Sequence, residues 1–234
     1  MSAPSRVSIP DLVGVWRRAS IRWPDGREDT TTTVYWLQGR RYFADIRIPA
    51  GRPSFDGVTS FDECSSKQRD WLATQEGFAG ELIPHGDDAV QWLRDIDYRP
   101  PGGPPDIGRL RFVDASQDQM IEEGVVQPYV EVWERVDRGE PLVLRLDEGD
   151  GERRWFIGVG RHFILASGSR SGVEISHGGR DGESEPVVTL STSPWREGTP
   201  TFKPVHHRSW RMLEPAGSDQ NITAPPLGLR HWPV

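Results

Sequence analysis

The chain has 234 residues, 35% of them hydrophobic, with a formal net charge of −7, a pI near 5.4 and a mean hydropathy of −0.59. That length accommodates one large β domain or two small ones, and the acidic balance disfavours nucleic acid, whose binding leans on Lys and Arg neutralising phosphate. The single cysteine, Cys64, excludes an internal disulfide and a multi-thiolate zinc site, and nothing approaches the roughly 18–20 apolar residues of a membrane span.

Residues 1–10 hold one Arg and no apolar run, so no secretory signal is expected and the cytoplasm is the expected location. Residues 12–23 alternate and end at Pro24-Asp25-Gly26, a turn signal. Residues 30–38 and 41–48 flank Gly39-Arg40 and predict a β-hairpin. Residues 60–75 predict a helix, with Ser60 and Glu63 as a capping box and Gly77 as its stop. Strands are expected over 78–83, 89–98, 108–114, 119–126 and 129–137, with a stiff loop at 100–105. The second half predicts strands near 141–147, 153–158, 161–167, 172–177, 186–192 and 206–213. Many short strands with one modest helix point to an all-β protein of barrels or sandwiches.

Two strings recur. Val15-Trp16-Arg17-Arg18 is echoed 117 residues later by Val132-Trp133-Glu134-Arg135. Trp36 to Phe43 is echoed 120 residues later by Phe156 to Phe163. Two copies of one β-unit explain both offsets. The boundary then falls near Gln127-Pro128, giving a first unit over 1–128, a smaller second unit over 129–214 and a C-terminal tail over 215–234.

Gly14-Val15-Trp16 on the first strand resembles the G-x-W entry motif of lipocalin-like barrels, in which the Trp plugs one end. Longer strings carry a wider resemblance. Tyr129 to Asp137, Leu142-Val143-Leu144, Phe156 to Arg161, Glu122-Glu123-Gly124 and Ser209-Trp210 resemble a fungal family of tandem lipocalin-like (calycin) barrels. Trp36-Leu37-Gln38, Ala44 to Pro49, Gln75 to Gly80 and Ile96 to Pro101 resemble its bacterial branch. The resemblance spans most of residues 12–213 and implies two lipocalin-like antiparallel β-barrels in tandem with one short helix. The family has no settled activity to carry over.

With Gly39-Arg40 as the turn, Trp36 faces Phe43, and one hairpin face carries Trp36, Gln38, Phe43, Asp45 and Arg47. The other carries Tyr35, Leu37, Tyr42, Ala44, Ile46 and Ile48. Aromatics beside an acid and a base suit a ligand-lined barrel wall; an outward face with Asp45 and Arg47 as a surface pair is the alternative. At the 120-residue offset the aromatics are shared, but Leu165 and Ser167 replace Asp45 and Arg47, which places any site in the first unit. Trp92, Arg94, Ile96 and Tyr98 share one face of the next strand pair by alternation, and a buried Arg94 needs a carboxylate from Asp45, Glu122 or Glu131.

Other signatures are absent. The six histidines form no H-x-x-x-H or H-x-H, Gly158-Val159-Gly160 lacks a third glycine, and no G-x-S-x-G occurs, so no metal and no cofactor are expected. The leading expectation is non-covalent binding of a small aromatic or amphipathic molecule by Trp36, Gln38, Phe43, Asp45, Arg47, Trp92, Arg94 and Glu131. On this reading Arg47→Ala or Arg94→Ala weakens binding more than the fold. The alternatives are a cofactor-independent isomerase, cyclase or lyase in the same pocket, with its catalytic residues open, and a protein-interaction module with filled barrels. The oligomeric state is left open.

Overall fold

The computed structural model describes residues 7–99, 102–147, 152–170, 172–180, 186–200, 210–214 and 221–222. Its first sheet contains Gly14–Arg22 (β1), Glu28–Asp29 (β2), Thr33–Gln38 (β3), Tyr42–Ile48 (β4), Glu76–His85 (β5), Ala89–Asp97 (β6), Asp106–Phe112 (β7), Gln119–Gly124 (β8) and Val130–Asp137 (β9). Its second contains Leu142–Asp147 (β10), Arg153–Val159 (β11), His162–Ser169 (β12), Gly172–Gly179 (β13), Val187–Ser191 (β14), Trp210–Glu214 (β15) and Asn221–Ile222 (β16). One α-helix, Ser66–Leu72 (α1), joins β4 to β5. The expected strand at 206–213 lies partly, and most of the expected tail lies wholly, outside the described residues.

In the first sheet β9 pairs antiparallel with both β8 and β1, which closes eight strands into a barrel, with β2 as a short extra edge. The second sheet runs β14-β13-β12-β11-β10-β15-β16 and is open among the described residues, so a second barrel is not formed there. The strand expected to open the second unit is the one that seals the first. Trp133 lies opposite Arg18 on the neighbouring strand, so the echo of Val15-Trp16 in Val132-Trp133 joins two walls of one barrel. The 120-residue offset does describe matched hairpins, β3–β4 and β11–β12. Trp16 pairs with Trp36 and Leu144 with Phe156, so the counterpart of Trp16 in the second sheet is Leu144.

The first hairpin turns at Arg40-Arg41, closed by Gly39 N–H donating to Tyr42 O at 2.8 Å. Trp36 therefore faces Asp45 and Gln38 faces Phe43. The register differs by two residues from the one expected, and a shift of two leaves every side chain on its expected face. The turn is held from the other sheet. The Glu214 carboxylate accepts from Arg40 N–H at 2.7 Å, Arg41 N–H at 2.9 Å and Tyr42 N–H at 3.4 Å. Gly39 makes room for it: a Cβ there would sit 2.5 Å from Glu214 Oε2.

Helix α1 is shorter than expected because its N-terminus is fixed five residues later. Ser65 accepts from Gln68 N–H at 3.3 Å, and Gln68 Oε1 accepts from Ser65 N–H at 2.7 Å. Ser60 to Glu63 instead form a single 3₁₀ turn, where Glu63 accepts from Thr59 N–H.

In β6 the alternation fails at one place. Gly80 pairs with Arg94 but Ala79 pairs with Ile96, so Asp95 is the extra residue of a β-bulge. Trp92 consequently packs inside the barrel while Ile96 packs outside, and the expected common face of Trp92, Arg94, Ile96 and Tyr98 is broken. Gly80 permits the bulge, since a Cβ there would meet Leu93 O at 1.9 Å.

Three apolar clusters follow. Inside the barrel lie Leu12, Trp16, Trp36, Phe43, Met120 and Trp133. The apolar outer face (Leu37, Ala44, Ile46, Ile48, Ala79 and Ile96) packs against Val143, Trp155, Ile157, Ile164, Ala166 and Ile175 of the second sheet. The other face of the second sheet buries Leu144, Phe156, Phe163, Leu165, Val188 and Trp210. At the interface between the sheets Tyr35 stacks on His177 with ring centroids 4.3 Å apart, and His177 Nε2 lies 3.2 Å from His162 Nδ1.

Two outcomes test this interface. Glu214 is 3% exposed, and Glu214→Ala orphans three backbone donors at the turn, an expected loss of about 2–4 kcal/mol. That lowers Tm by about 5–10 °C; a change below about 1 °C in a thermal melt rules out the anchor. Burial, then the neighbouring His162, lowers the His177 pKa to about 3. A depressed folded pKa stabilises above the unfolded value near 6.5 and loses that stability as pH falls toward 3. His177→Phe should therefore show a shallower acid limb in denaturant midpoint against pH, and an unchanged limb refutes the assignment.

Candidate functional site

The barrel has one closed and one open end. The 3₁₀ turn Ile9–Leu12 covers the closed end, and Trp16 Nε1–H donates to Leu12 O at 2.8 Å. Arg135 lies over the Trp16 ring, 4.2 Å from its centroid, and its guanidinium donates to Val13 O at 2.6 Å and Asp11 O at 2.9 Å. Trp36, with Trp92 and Trp133 edge-on at 5.8 and 5.5 Å, fills the middle.

The other end, where β1 runs out and β9 begins, opens into a cleft of about 710 Å³. Arg18, Ile21, Arg47, Trp92, Arg94 and Glu131 line it, together with Asp106, Ile107 and Tyr129. The size is that of a site for a small molecule.

Of the expected site residues, Arg47, Trp92, Arg94 and Glu131 reach this cleft. Trp36, Gln38 and Phe43 lie deeper. Trp36 Nε1–H donates to Gln38 Oε1 at 3.1 Å, Gln38 Nε2–H donates to Gly39 O at 2.9 Å, and Phe43 packs edge-on against Phe78. Asp45 is buried behind Arg47 and receives it in a forked pair, Nε to Oδ1 at 2.9 Å and Nη2 to Oδ2 at 3.3 Å.

The charges form a connected wall. Arg18 Nη1 meets Glu131 Oε1 at 2.6 Å, and Arg47 Nη1 approaches the same oxygen at 3.7 Å. Arg94 lies 3.7 Å from the Phe78 ring centroid and pairs with Asp106 at 2.6 Å and Asp97 at 3.0 Å. Its partners are thus neither Asp45 nor Glu122 nor Glu131. The bulge at Asp95 is the cause, since it brings Asp97 to the same side as Arg94. Arg18, Asp97, Asp106 and Tyr129 carry no sequence motif; only strand alternation plus the closure of β9 on β1 reveals Arg18.

Beneath the cleft, Glu122 accepts from Tyr129 O–H at 2.6 Å and from Trp133 Nε1–H at 3.1 Å, and Tyr129 Oη lies 3.5 Å from Asp106 Oδ1. Glu122 and Glu131 are direct cross-strand partners. Burial, then the Glu131 and Asp106 charges, raise the Glu122 pKa well above the usual carboxylate range. Burial also raises Asp45, against the pull of Arg47. Burial alone would lower Arg47, but Asp45 and Glu131 overcome it and hold its charge. Removing Arg47 would strand Asp45 without its partner, so Arg47→Ala reports on the fold at least as strongly as on binding. Arg94, nearer the mouth, is the cleaner probe.

No protein-family model and no curated protein matches the chain. A crystal structure of an uncharacterized protein from Saccharomyces cerevisiae shares the fold, with a TM-score of 0.57 at 13% identity over 86% of this chain and 97% of that one. No helix among the described residues is long and apolar enough to cross a membrane, and no described cluster of three or more His, Cys, Asp or Glu could hold a metal ion.

Glu122 supplies a test of these electrostatics. Its folded pKa is raised, so its contribution to stability is present below the unfolded value of 4.5 and is lost as pH rises through the folded value. Glu122→Gln keeps an oxygen for Trp133 Nε1–H and donates its amide N–H to Tyr129 Oη, whose hydroxyl then turns to Asp106 Oδ1. The variant should match the parent near pH 4 and be the more stable protein at pH 8 by chemical denaturation. A variant less stable at pH 8 refutes the raised pKa of Glu122.

Proposed function

We propose that the protein is a lipocalin-like carrier that holds a small, partly aromatic or amphipathic molecule without covalent chemistry in the open end of the first barrel. One observation carries the reading: Trp16 and the 3₁₀ turn seal the closed end and Trp36 with Trp133 fills the middle, while the open end keeps a cleft of about 710 Å³ walled by charged side chains. A sheet built only for stability would gain more from apolar side chains at Arg18, Arg47 and Glu131, because burying paired charges roughly cancels their attraction. Trp92 offers flat apolar area inside the barrel, and the charged groups offer orientation. The fold likeness to the yeast protein supports the architecture alone.

A second reading, a cofactor-independent isomerase, cyclase or lyase, is favoured by the Glu122–Glu131 pair. A carboxyl group whose pKa is raised by burial, set beside an ion-paired carboxylate, places a weak acid next to a base. Glu122 lies behind Tyr129, so any proton would pass through the Tyr129 hydroxyl.

The test is native mass spectrometry of protein purified gently from its own host, with identification of whatever denaturation releases. Gly103 lines the cleft, and a Cβ added there meets nothing within 4 Å, so the backbone tolerates a side chain at the mouth. Gly103→Trp should therefore lose the bound molecule by at least about tenfold in occupancy without a fall in Tm. A molecule retained by that variant, or an apo mass together with no stabilisation by a broad metabolite panel, refutes the reading.

A further inference from the structure

We propose that the cleft selects an organic cation, an ammonium or amidinium group on a flat apolar body, and seats it on Glu131; this rests on the reading of the cleft as a small-molecule site. Glu131 lines the cleft and is 1% exposed. Its Oε1 is engaged by Arg18, but its Oε2 has no hydrogen-bond partner among the described residues. A buried carboxylate oxygen without a donor is costly, and a ligand N–H is the group that would relieve it.

The charge pattern points the same way independently. Each arginine of the cleft is already matched: Arg18 to Glu131 at 2.6 Å, Arg47 to Asp45 at 2.9 Å, Arg94 to Asp106 at 2.6 Å and Arg99 to Glu76 at 2.8 Å. An entering anion would have to displace one of these internal carboxylates and leave it stranded. The lining holds five acidic residues against four arginines, and Asp45 stands behind Arg47 as a sixth acid. The local field therefore favours positive charge. Ile21 and Trp92 supply apolar surface for the rest of the molecule. A space of about 710 Å³ is far larger than a bare ion needs.

Three probes of one shape separate the possibilities: phenethylammonium, 2-phenylethanol and phenylacetate, each titrated into the full chain while the Trp92 indole N–H resonance is followed by NMR. The expected result is binding of phenethylammonium at least about tenfold tighter than 2-phenylethanol, weaker still for phenylacetate, and weakened by added salt. Glu131→Gln should bring phenethylammonium down to the affinity of 2-phenylethanol while leaving the alcohol unchanged. Should that variant fail to fold, the ranking of the three probes on the parent protein decides alone. Equal or tighter binding of the alcohol or the acid overturns the cation seat and leaves the small-molecule cleft standing. No shift by any of the three overturns the cation seat, and an empty protein from the native host would then remove the cleft reading with it.

Discussion

Asp95 is the surplus residue in β6, placed between Arg94, which pairs with Gly80, and Ile96, which pairs with Ala79. Both halves of the molecule depend on it. Pushed outward, its carboxylate accepts from Trp155 Nε1–H at 2.8 Å and pairs with Arg153 of the second sheet. The same kink reverses the alternation of the strand. Arg94 and Asp97, which would point to opposite faces of a regular strand, both turn into the mouth of the barrel and pair there. One bulge thus docks the second sheet and furnishes one wall of the cleft. A bulge has this reach because strand pairing has period two: an added residue changes the face of everything beyond it.

The remaining wall shows why the second sheet matters to the first. The residues that leave the barrel's outer face apolar, Leu37, Ala44 and Ile46, alternate with Trp36, Phe43, Asp45 and Arg47 on its inner face. A free barrel would expose that outer face to water. Covered by β11–β13 and pinned at its turn by Glu214, the hairpin is buried on both sides. Burial excludes water from the Asp45–Arg47 pair, so its forked geometry is held by packing as well as by charge. The Arg47 side chain then stays fixed against Glu131, which is the preorganisation a small-molecule site needs.

What the sequence made legible follows from the range of each signal. Alternation is local, and it assigned Trp36, Phe43, Asp45 and Arg47 to one face even though the turn falls at Arg40-Arg41 instead of Gly39-Arg40. Strand positions were similarly visible from Pro, Gly and Asp punctuation. The identity of β9 was not, because closure is a property of two strands more than a hundred residues apart. Val132-Trp133 resembles Val15-Trp16 because each places a Trp inside the same barrel on neighbouring strands, a similarity of environment that mimics repetition. The bulge was hidden for a related reason: its signal is Gly80, whose missing Cβ matters only once Leu93 O is known to lie there. Asp106 and Asp97 could not be chosen as partners of Arg94 without it.

The two matched hairpins differ in what they carry at the position of Asp45. At the 120-residue offset, Trp36 and Phe43 correspond to Phe156 and Phe163, which stack with centroids 5.8 Å apart. Asp45 corresponds to Leu165, a buried member of the apolar cluster on the far face of the second sheet. In the closed barrel of the first sheet, residues from β1, β4 and β9 converge across the axis, which lets Arg18, Arg47 and Glu131 meet although they are far apart in sequence. Closure is therefore the condition for the charged wall.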